Sequence, residues 1–343
     1  MKKVLAFIVC SGLSISAFAQ HDKNLSIWYI SPVLYNPGAI STGAEDYSFT
    51  TNFRSQWPTI PEPGLGMRTN TLNAEFKIPD GLMGSNNFGV GLNILNEQTG
   101  VANLMSTNVS IPINYTLQLD KRNKLSLGVS PGYYQQSVDR ASQTWENEWN
   151  GTSFVSDKNT EPGFNNAYGS IDIGTGIFYQ HTYRNKTRLY GGFALNHLTK
   201  QKINFFFPSK DRMYLNTVIS VGGDIATKKR DLRIQPNIIY FKSGPGYNLM
   251  AGVSLEHILR EGSEITSINK TVCVNYGFYY RHKDAISATF GFKVKGVRFG
   301  LAFDANLSYL NQATNSIGGL EVYFKSMHLY KKSGSKGKIK KLS

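Results

Sequence analysis

Between Ala285 and Leu307 apolar and polar residues alternate through two strand-length segments joined at Lys295-Gly296. One parity reads Ile286, Ala288, Phe290, Phe292 and Val294, then Val297, Phe299, Leu301, Phe303, Ala305 and Leu307. The other reads Ser287, Thr289, Gly291 and Lys293, then Arg298, Gly300, Ala302, Asp304 and Asn306. Successive strand side chains point to opposite faces, so this is a hairpin with one apolar and one polar wall. Which wall faces inward decides the class of protein.

The same period runs through the chain. Tyr47, Phe49, Thr51 and Phe53 oppose Ser48, Thr50, Asn52 and Arg54, and Val109, Ile111, Ile113, Tyr115 and Leu117 oppose Ser110, Pro112, Asn114, Thr116 and Gln118. Ile171, Ile173 and Ile177 oppose Asp172, Gly174 and Gly176, and Ile234, Ile238 and Tyr240 oppose Arg233, Gln235 and Asn237. No window carries a 3.6-residue apolar stripe, which predicts an all-β chain. Alternating segments number about 14 between residues 46 and 330, one of them spanning 103–119. Each is near or above the ~9–11 residues a tilted strand needs to cross a bilayer. Short connections at Asp120 to Asn123, Tyr183 to Lys186, Thr227 to Arg230 and Lys295-Gly296 contrast with long ones at Val138 to Gly163 and Thr199 to Asp211. Short turns at one end and long loops at the other are the habit of an outer-membrane barrel.

The composition of the polar parity orients the walls. A soluble β-sandwich also alternates, but its solvent face is usually rich in Lys and Glu, whereas this parity is mostly Gly, Ser, Thr and Asn. A ring of about 14 strands is also too wide to fill readily with apolar side chains. The apolar wall is therefore expected to face lipid, and closure of the ring removes the unpaired edges that lipid does not tolerate. No segment approaches the ~20 apolar residues of a membrane-spanning helix. Aromatic residues make up 13% of the chain and gather near expected strand ends, at Trp57, Tyr133, Tyr134, Tyr279, Tyr280, Tyr309 and Tyr330. That is the placement of an interfacial girdle, although aromatics also favour strands in general.

The two ends differ from the middle. Lys2 and Lys3 precede the apolar run Val4 to Val9, and Ala17-Phe18-Ala19 offers a small-x-small cleavage site before Gln20. Residues 1–19 therefore read as a signal peptide, removed before folding. Cys10 leaves with it, so Cys273 stands alone and no internal disulfide is expected. Residues 20–45 are expected to form an N-terminal periplasmic or plug segment, 46–330 the barrel, and 331–343 a basic tail with six lysines and no acid. An even strand number returns both ends to one side, predicted to be the periplasm. The tail there suits salt-sensitive contact with acidic periplasmic components; nucleic acid is not expected as a partner of an exported protein.

Catalytic motifs are weak. Gly128-Val129-Ser130-Pro131-Gly132 satisfies G-x-S-x-G, but a nucleophile elbow needs a strand, a sharp turn and a helix, and here the strand pattern continues through Tyr133, Tyr134 and Gln135. The six histidines are scattered without metal-ligand spacing, and Gly337-Lys338 is followed by Ile339, not Ser or Thr. No enzyme activity, cofactor or metal is expected. Glu75, Asp172, Arg233, Arg298, Asp304 and Glu321 are expected as polar lumen residues. The long connection from Val138 to Gly163 carries Trp145, Trp149 and Phe154 beside several acids. Such a loop is a candidate for partner recognition, or its aromatics fold back and close the barrel mouth.

Tyr35-Asn36-Pro37-Gly38, followed by Phe53-Arg54-Ser55-Gln56-Trp57 and a Pro/Gly-rich stretch from Pro58 to Gly66, resembles the opening of the PorP/SprF family of the Bacteroidetes type IX secretion and gliding system. The resemblance continues through Asn87 to Gly91, Lys124 to Gly128, Phe303 to Ser308 and Gly318 to Glu321. Gly38-Ala39-Ile40-Ser41 departs from the usual Ala-Tyr-Ala-Gly, and the basic tail extends past the last strand. Membership would imply an outer-membrane barrel of a Gram-negative, Bacteroidetes-like cell, lodged in outer-membrane lipid. It would anchor a secreted adhesin with a C-terminal sorting domain and connect to secretion or gliding components. Asn36-Pro37-Gly38 reads as a turn at the periplasmic mouth. Arg54 and Gln56, on the polar parity, would bond an inward-folded plug, or Arg54 would simply pair with an acid such as Glu75, Asp172, Asp304 or Glu321; Trp57, on the other parity, suits the interface belt. The alternative function is a FadL-like channel or transporter for small solutes.

Overall fold

The structure is a computed structural model that describes residues 25–40, 42–43, 45–60, 66–78, 87–100, 102–139, 148–155, 165–205, 211–229, 231–260, 271–309 and 311–330. Strand β1 is Tyr47–Gln56, β2 Met67–Lys77, β3 Phe88–Thr99, β4 Leu104–Ser110, β5 Ile113–Gln118, β6 Asn123–Ser137 and β7 Ala167–Thr182. Then follow β8 Arg188–Asn196, β9 Asn216–Ala226, β10 Leu232–Ser243, β11 Gly246–Arg260, β12 Val272–Arg281, β13 Ala285–Val294, β14 Val297–Asn306 and β15 Ile317–His328. Each strand pairs antiparallel with its sequence neighbours, except that β4 and β5 each pair with β3 and β6 and not with each other, and β1 also pairs with β15 from Tyr47 opposite His328 to Gln56 opposite Gly319, which closes the ring.

Fifteen strands make 14 staves, because β4 and β5 occupy one place between β3 and β6. The register does not shift across their gap: Ser110 faces Gly132 and Ile113 faces Val129 on the same ladder. The interruption has a chemical cause. Pro112 accepts from the Gly91 N–H at 2.8 Å and Pro131 accepts from the Ile111 N–H at 2.9 Å, but neither proline can return a bond. The expected single strand over 103–119 is therefore one stave broken at its middle.

The burial pattern is that of an inside-out protein. Phe290 and Phe278 are 51% and 66% exposed on the outer wall, whereas Arg54 and Glu321 are 1% and 0% exposed within. The hairpin of β13 and β14 places Ile286, Phe290, Phe292, Phe299, Leu301 and Phe303 outward and buries Ser287, Thr289 and Asp304. Among the described residues no helix is long and apolar enough to cross a membrane; the strands do so instead. One end of the barrel, hereafter the terminal end, carries Tyr47 and His328 and the tight turn at Lys295-Gly296. The long connections after β6 and β8 lie at the opposite, far end.

Candidate functional site

Residues 25–40 lie inside the ring and form three single-turn 3₁₀ helices, Trp28–Ile30, Pro32–Leu34 and Pro37–Ala39. Pro32 and Pro37 open the second and third, where a missing N–H costs nothing. Asn36 caps the third by accepting the Gly38 N–H at 2.8 Å. Turns this short leave many backbone carbonyls unpaired, and the lumen wall supplies the donors. Lys325 Nζ donates to the Ile30 carbonyl, Asn93 to Val33, Asn196 to Tyr35, and Asn114 to both Gly38 and Ile40, at 3.1–3.3 Å. The plug also carries the apolar core: Leu25, Trp28, Leu34 and Tyr35 pack on Leu95, Ala194, Val218, Ile239, Met250 and Tyr279. Tyr29 stacks on Tyr279 with ring centroids 5.0 Å apart.

Asn36 and Pro37 sit deep in the barrel, not at its mouth as the turn chemistry suggested. Asn36 Nδ2 donates to the Ile177 carbonyl at 3.0 Å and lies 3.4 Å from that of Phe193. The approach requires glycine in the wall. A Cβ on Gly176 would fall 2.1 Å from Asn36 Oδ1, and one on Gly192 would fall 2.5 Å from Asn36 Nδ2. The lumen glycines that marked the polar parity thus form the seat of the Asn36-Pro37 turn.

Above the turn, the plug ends in a buried ionic cluster. Arg54 on β1 donates to Asp304 of β14 at 2.6 Å, to Glu321 of β15 at 3.1 Å and to Ser26 Oγ at 2.5 Å. Arg281 of β12 donates to the same Ser26 oxygen at 2.8 Å and approaches Asp304 at 3.2 Å. Ser26 Oγ in turn donates to Asp304 at 2.8 Å, and the Ser26 and Ile27 N–H groups donate to Glu321 at 2.7 and 3.1 Å. Ser287 and Asn52 add donors to Asp304 and Glu321. The two readings of Arg54 are therefore not exclusive, because one guanidinium both pairs lumen acids and holds the plug. Arg54 faces Glu321 directly in register, so the cluster bridges the first and last strands. Three separated sequence motifs, around Arg54, Asp304 and Glu321, converge here.

The other expected residues are dispersed. Gln56 accepts from Arg54 Nε at 3.4 Å at the edge of the cluster. Trp57 has a left-handed backbone, φ +54°, which turns it off the strand alternation. It lines a far-end vestibule of about 670 Å³, shared with Leu95, Tyr134, Phe205 and Arg281, and not the lipid-facing belt. Glu75 is buried on the lumen face of β2. Asp172 contacts His197 Nδ1 at 2.8 Å. Arg233 pairs with Asp224 at 2.6 Å, and Arg298 with Glu256 at 2.8 Å, both toward the terminal end. Trp149 and Phe154 pair with each other across a bridge, rings 5.0 Å apart, and remain about half exposed, so these two aromatics do not fold back into the mouth. Trp145 lies outside the described residues, as do residues 1–24 and the tail from Lys331. Gly128 to Gly132 runs within β6 without the turn and helix of a nucleophile elbow.

Sequence reading missed Ser26, Arg281 and the asparagines 93, 114 and 196. Arg281 closes the polar parity Cys273, Asn275, Gly277, Tyr279 of β12, and that parity was the available signal. At the terminal mouth, burial alone would raise the Glu45 carboxyl. Lys325, Glu45's own backbone N–H, Lys77 and Arg188 outweigh burial and hold it below its ordinary 4.5.

The barrel is similar in fold to the Ralstonia pickettii toluene transporter TbuX, with a TM-score of 0.50 at 10% identity over 86% of this chain and 93% of that one. Similarity to the Pseudomonas putida toluene transporter TodX scores 0.46 at 9% identity, covering 87% and 94% of the two chains. None of the curated proteins matches this sequence. The model of a family described as type IX secretion system membrane protein PorP/SprF matches residues 17–322. With the closed, lipid-facing barrel, this match sets the protein in the outer membrane. The chain belongs to the PorP/SprF family of type IX secretion system membrane proteins.

Proposed function

We propose that this barrel is a plugged, non-enzymatic docking component of the type IX secretion and gliding machinery. It anchors a secreted adhesin with a C-terminal sorting domain at the cell surface. The observation that carries this reading is the lumen filled by the chain's own residues 25–40 and fastened by Arg54, Asp304 and Glu321. A barrel committed to holding its own segment is suited to presenting a fixed platform. In this reading the far end faces outward and both chain ends face the periplasm, with residues 1–19 removed as a signal and residues 331–343 contacting machinery there. The exposed Trp149–Phe154 pair is the contact offered to cargo, since aromatic anchors dominate binding surfaces. Deleting the gene should release the adhesin from the cell surface, and Trp149→Ala with Phe154→Ala should do so while barrel heat-modifiability stays normal. An adhesin that remains attached in the deletion strain overturns the proposal.

A second reading, a channel for small apolar solutes, is favoured by the far-end vestibule, lined by Trp57, Leu95 and Phe205, and by the fold shared with a toluene transporter. It predicts conductance or solute uptake by the purified protein in planar bilayers. A closed pore argues for the docking reading.

A further inference from the structure

The polarity of the lumen is not uniform along the barrel axis. Toward the terminal end the inward-facing parity carries Lys77 on β2, Lys124 on β6, Arg188 on β8, Arg233 on β10, Lys293 on β13 and Lys325 on β15. The acids at the same level are fewer: Glu45, Asp46, Glu75, Asp224 and Glu256. Asp224 is taken by Arg233 at 2.6 Å, Glu256 by Arg298 at 2.8 Å, and Glu45 lies 3.5 Å from Lys325. Among the described residues Lys77 donates to the carbonyls of Gly43 and Glu45, and Arg188 to that of Thr42. Lys124 and Lys293 form no ion pair among the described residues. On the turn tips, Lys121, Arg122, Lys228 and Lys229 stand exposed against Asp120 and Asp231. Tyr330, whose hydroxyl donates to the Lys77 carbonyl at 2.7 Å, ends the described chain at this mouth, and the sequence continues with six lysines and no acid.

We propose that the terminal mouth of the barrel is a receptor for an acidic polypeptide segment, with one carboxylate seated between Lys77 and Lys124. Those two lysines line a cavity of about 50 Å³ whose remaining polar lining is hydroxyl and amide, from Thr42, Asn87, Asn114 and Gln180 among others, with no acid. A carboxylate there receives charge-assisted bonds; Glu45, Asp46 and Glu75 act on Lys77 from outside the cavity, whereas the lining shared with Lys124 holds no acid. The cations of the inward parity point into the lumen, away from lipid, so a membrane headgroup is the wrong occupant. They are also spread over strands about 4.8 Å apart around the ring, from β2 to β13, farther than a small anion can reach. A chain of carboxylates satisfies several at once. This inference needs only the barrel, not the adhesin reading, so the two fail separately.

The test uses the full chain in detergent and fluorescein-labelled hexaglutamate, followed by anisotropy at low ionic strength. Saturable binding that weakens as salt rises is expected. Lys124→Gln with Lys293→Gln, neither of which breaks a side-chain hydrogen bond or ion pair among the described residues, should weaken it roughly fivefold. Lys200→Gln with Lys202→Gln, at the far end, should leave it unchanged. Equal loss in both double variants marks non-specific attraction and overturns the proposal. So does displacement of the peptide by inorganic phosphate at matched charge, which marks a small-anion site. In a chain ended after Tyr330, binding that is retained and still sensitive to Lys124→Gln with Lys293→Gln supports the mouth; complete loss assigns the contact to the tail and overturns it.

Discussion

Replacing Arg54 by Met tests what fastens the plug. In the wild-type protein the Arg54 guanidinium meets Asp304 at 2.6 Å, Glu321 at 3.1 Å and Ser26 Oγ at 2.5 Å, with both carboxylates at most 1% exposed. Removing one partner of a buried pair usually costs ~3–5 kcal/mol, because the remaining charge is stranded. Arg281 still reaches Asp304 at 3.2 Å, so that acid keeps a cation, whereas Glu321 keeps only the Ser26 and Ile27 N–H groups and Asn52. The lower end of the range, about 3 kcal/mol, is the expected loss. It should fall first on the plug, which the cluster holds by side chains, and less on the wall, which a full ladder from Tyr47 to Gln56 holds by backbone. Two readouts separate them: the denaturant midpoint for loss of the heat-modifiable barrel band, and amide-exchange protection across residues 25–40. Glu321→Met alone should cost a similar amount, and the double variant should recover about 1–3 kcal/mol relative to the sum, since the two residues face each other in register. Strict additivity, or unchanged plug protection in Arg54→Met, would refute the idea that this pair fastens the plug.

Two further outcomes follow from the geometry. Gly176→Ala should unseat the Asn36-Pro37 turn, because its methyl would lie 2.1 Å from Asn36 Oδ1, whereas Gly191→Ala, whose nearest neighbour is 3.6 Å away, should be neutral; loss of exchange protection at Gly38 in the first and not the second is the check, and equal behaviour contradicts the seat. Glu45→Gln probes the terminal mouth by pH. A carboxyl lowered in the folded state stabilises above its unfolded pKa and loses that contribution as pH falls through the lowered folded value. The midpoint difference between wild type and variant should therefore hold at neutral pH and vanish in acid below the ordinary carboxylate range; a difference that persists there rules out the ionic contribution.

What the sequence exposed and what it hid divide along physical lines. Strand alternation in Phe290, Phe292, Phe299 and Leu301 is legible because lipid and lumen impose opposite chemistry on adjacent residues. The stave count survives the break at Pro112 because register is a backbone property that a single missing donor does not shift. The depth of Asn36 was not legible. Turn chemistry fixes local dihedrals and not the surface on which the turn rests, and Gly176 and Gly192 are ambiguous until the atom filling the space above them is known. Trp57 was misassigned because parity arguments assume an unbroken strand, and its positive φ ends that assumption one residue after Gln56.

The cluster at Ser26 also sets an order in time. Ser26 and Arg54 are made early, but Asp304 and Glu321 belong to the last two strands, and Arg54 meets Glu321 only when β1 has paired with β15. Before that pairing the Ser26 and Ile27 N–H groups lack the carboxylate that receives them and Arg54 lacks one of its two acids, so the Ser26 latch is complete only when the ring is. A chain cut before β15 loses both the closing strand and the carboxylate that receives the Ser26 and Ile27 amides. An unfinished barrel is thus an unlatched one.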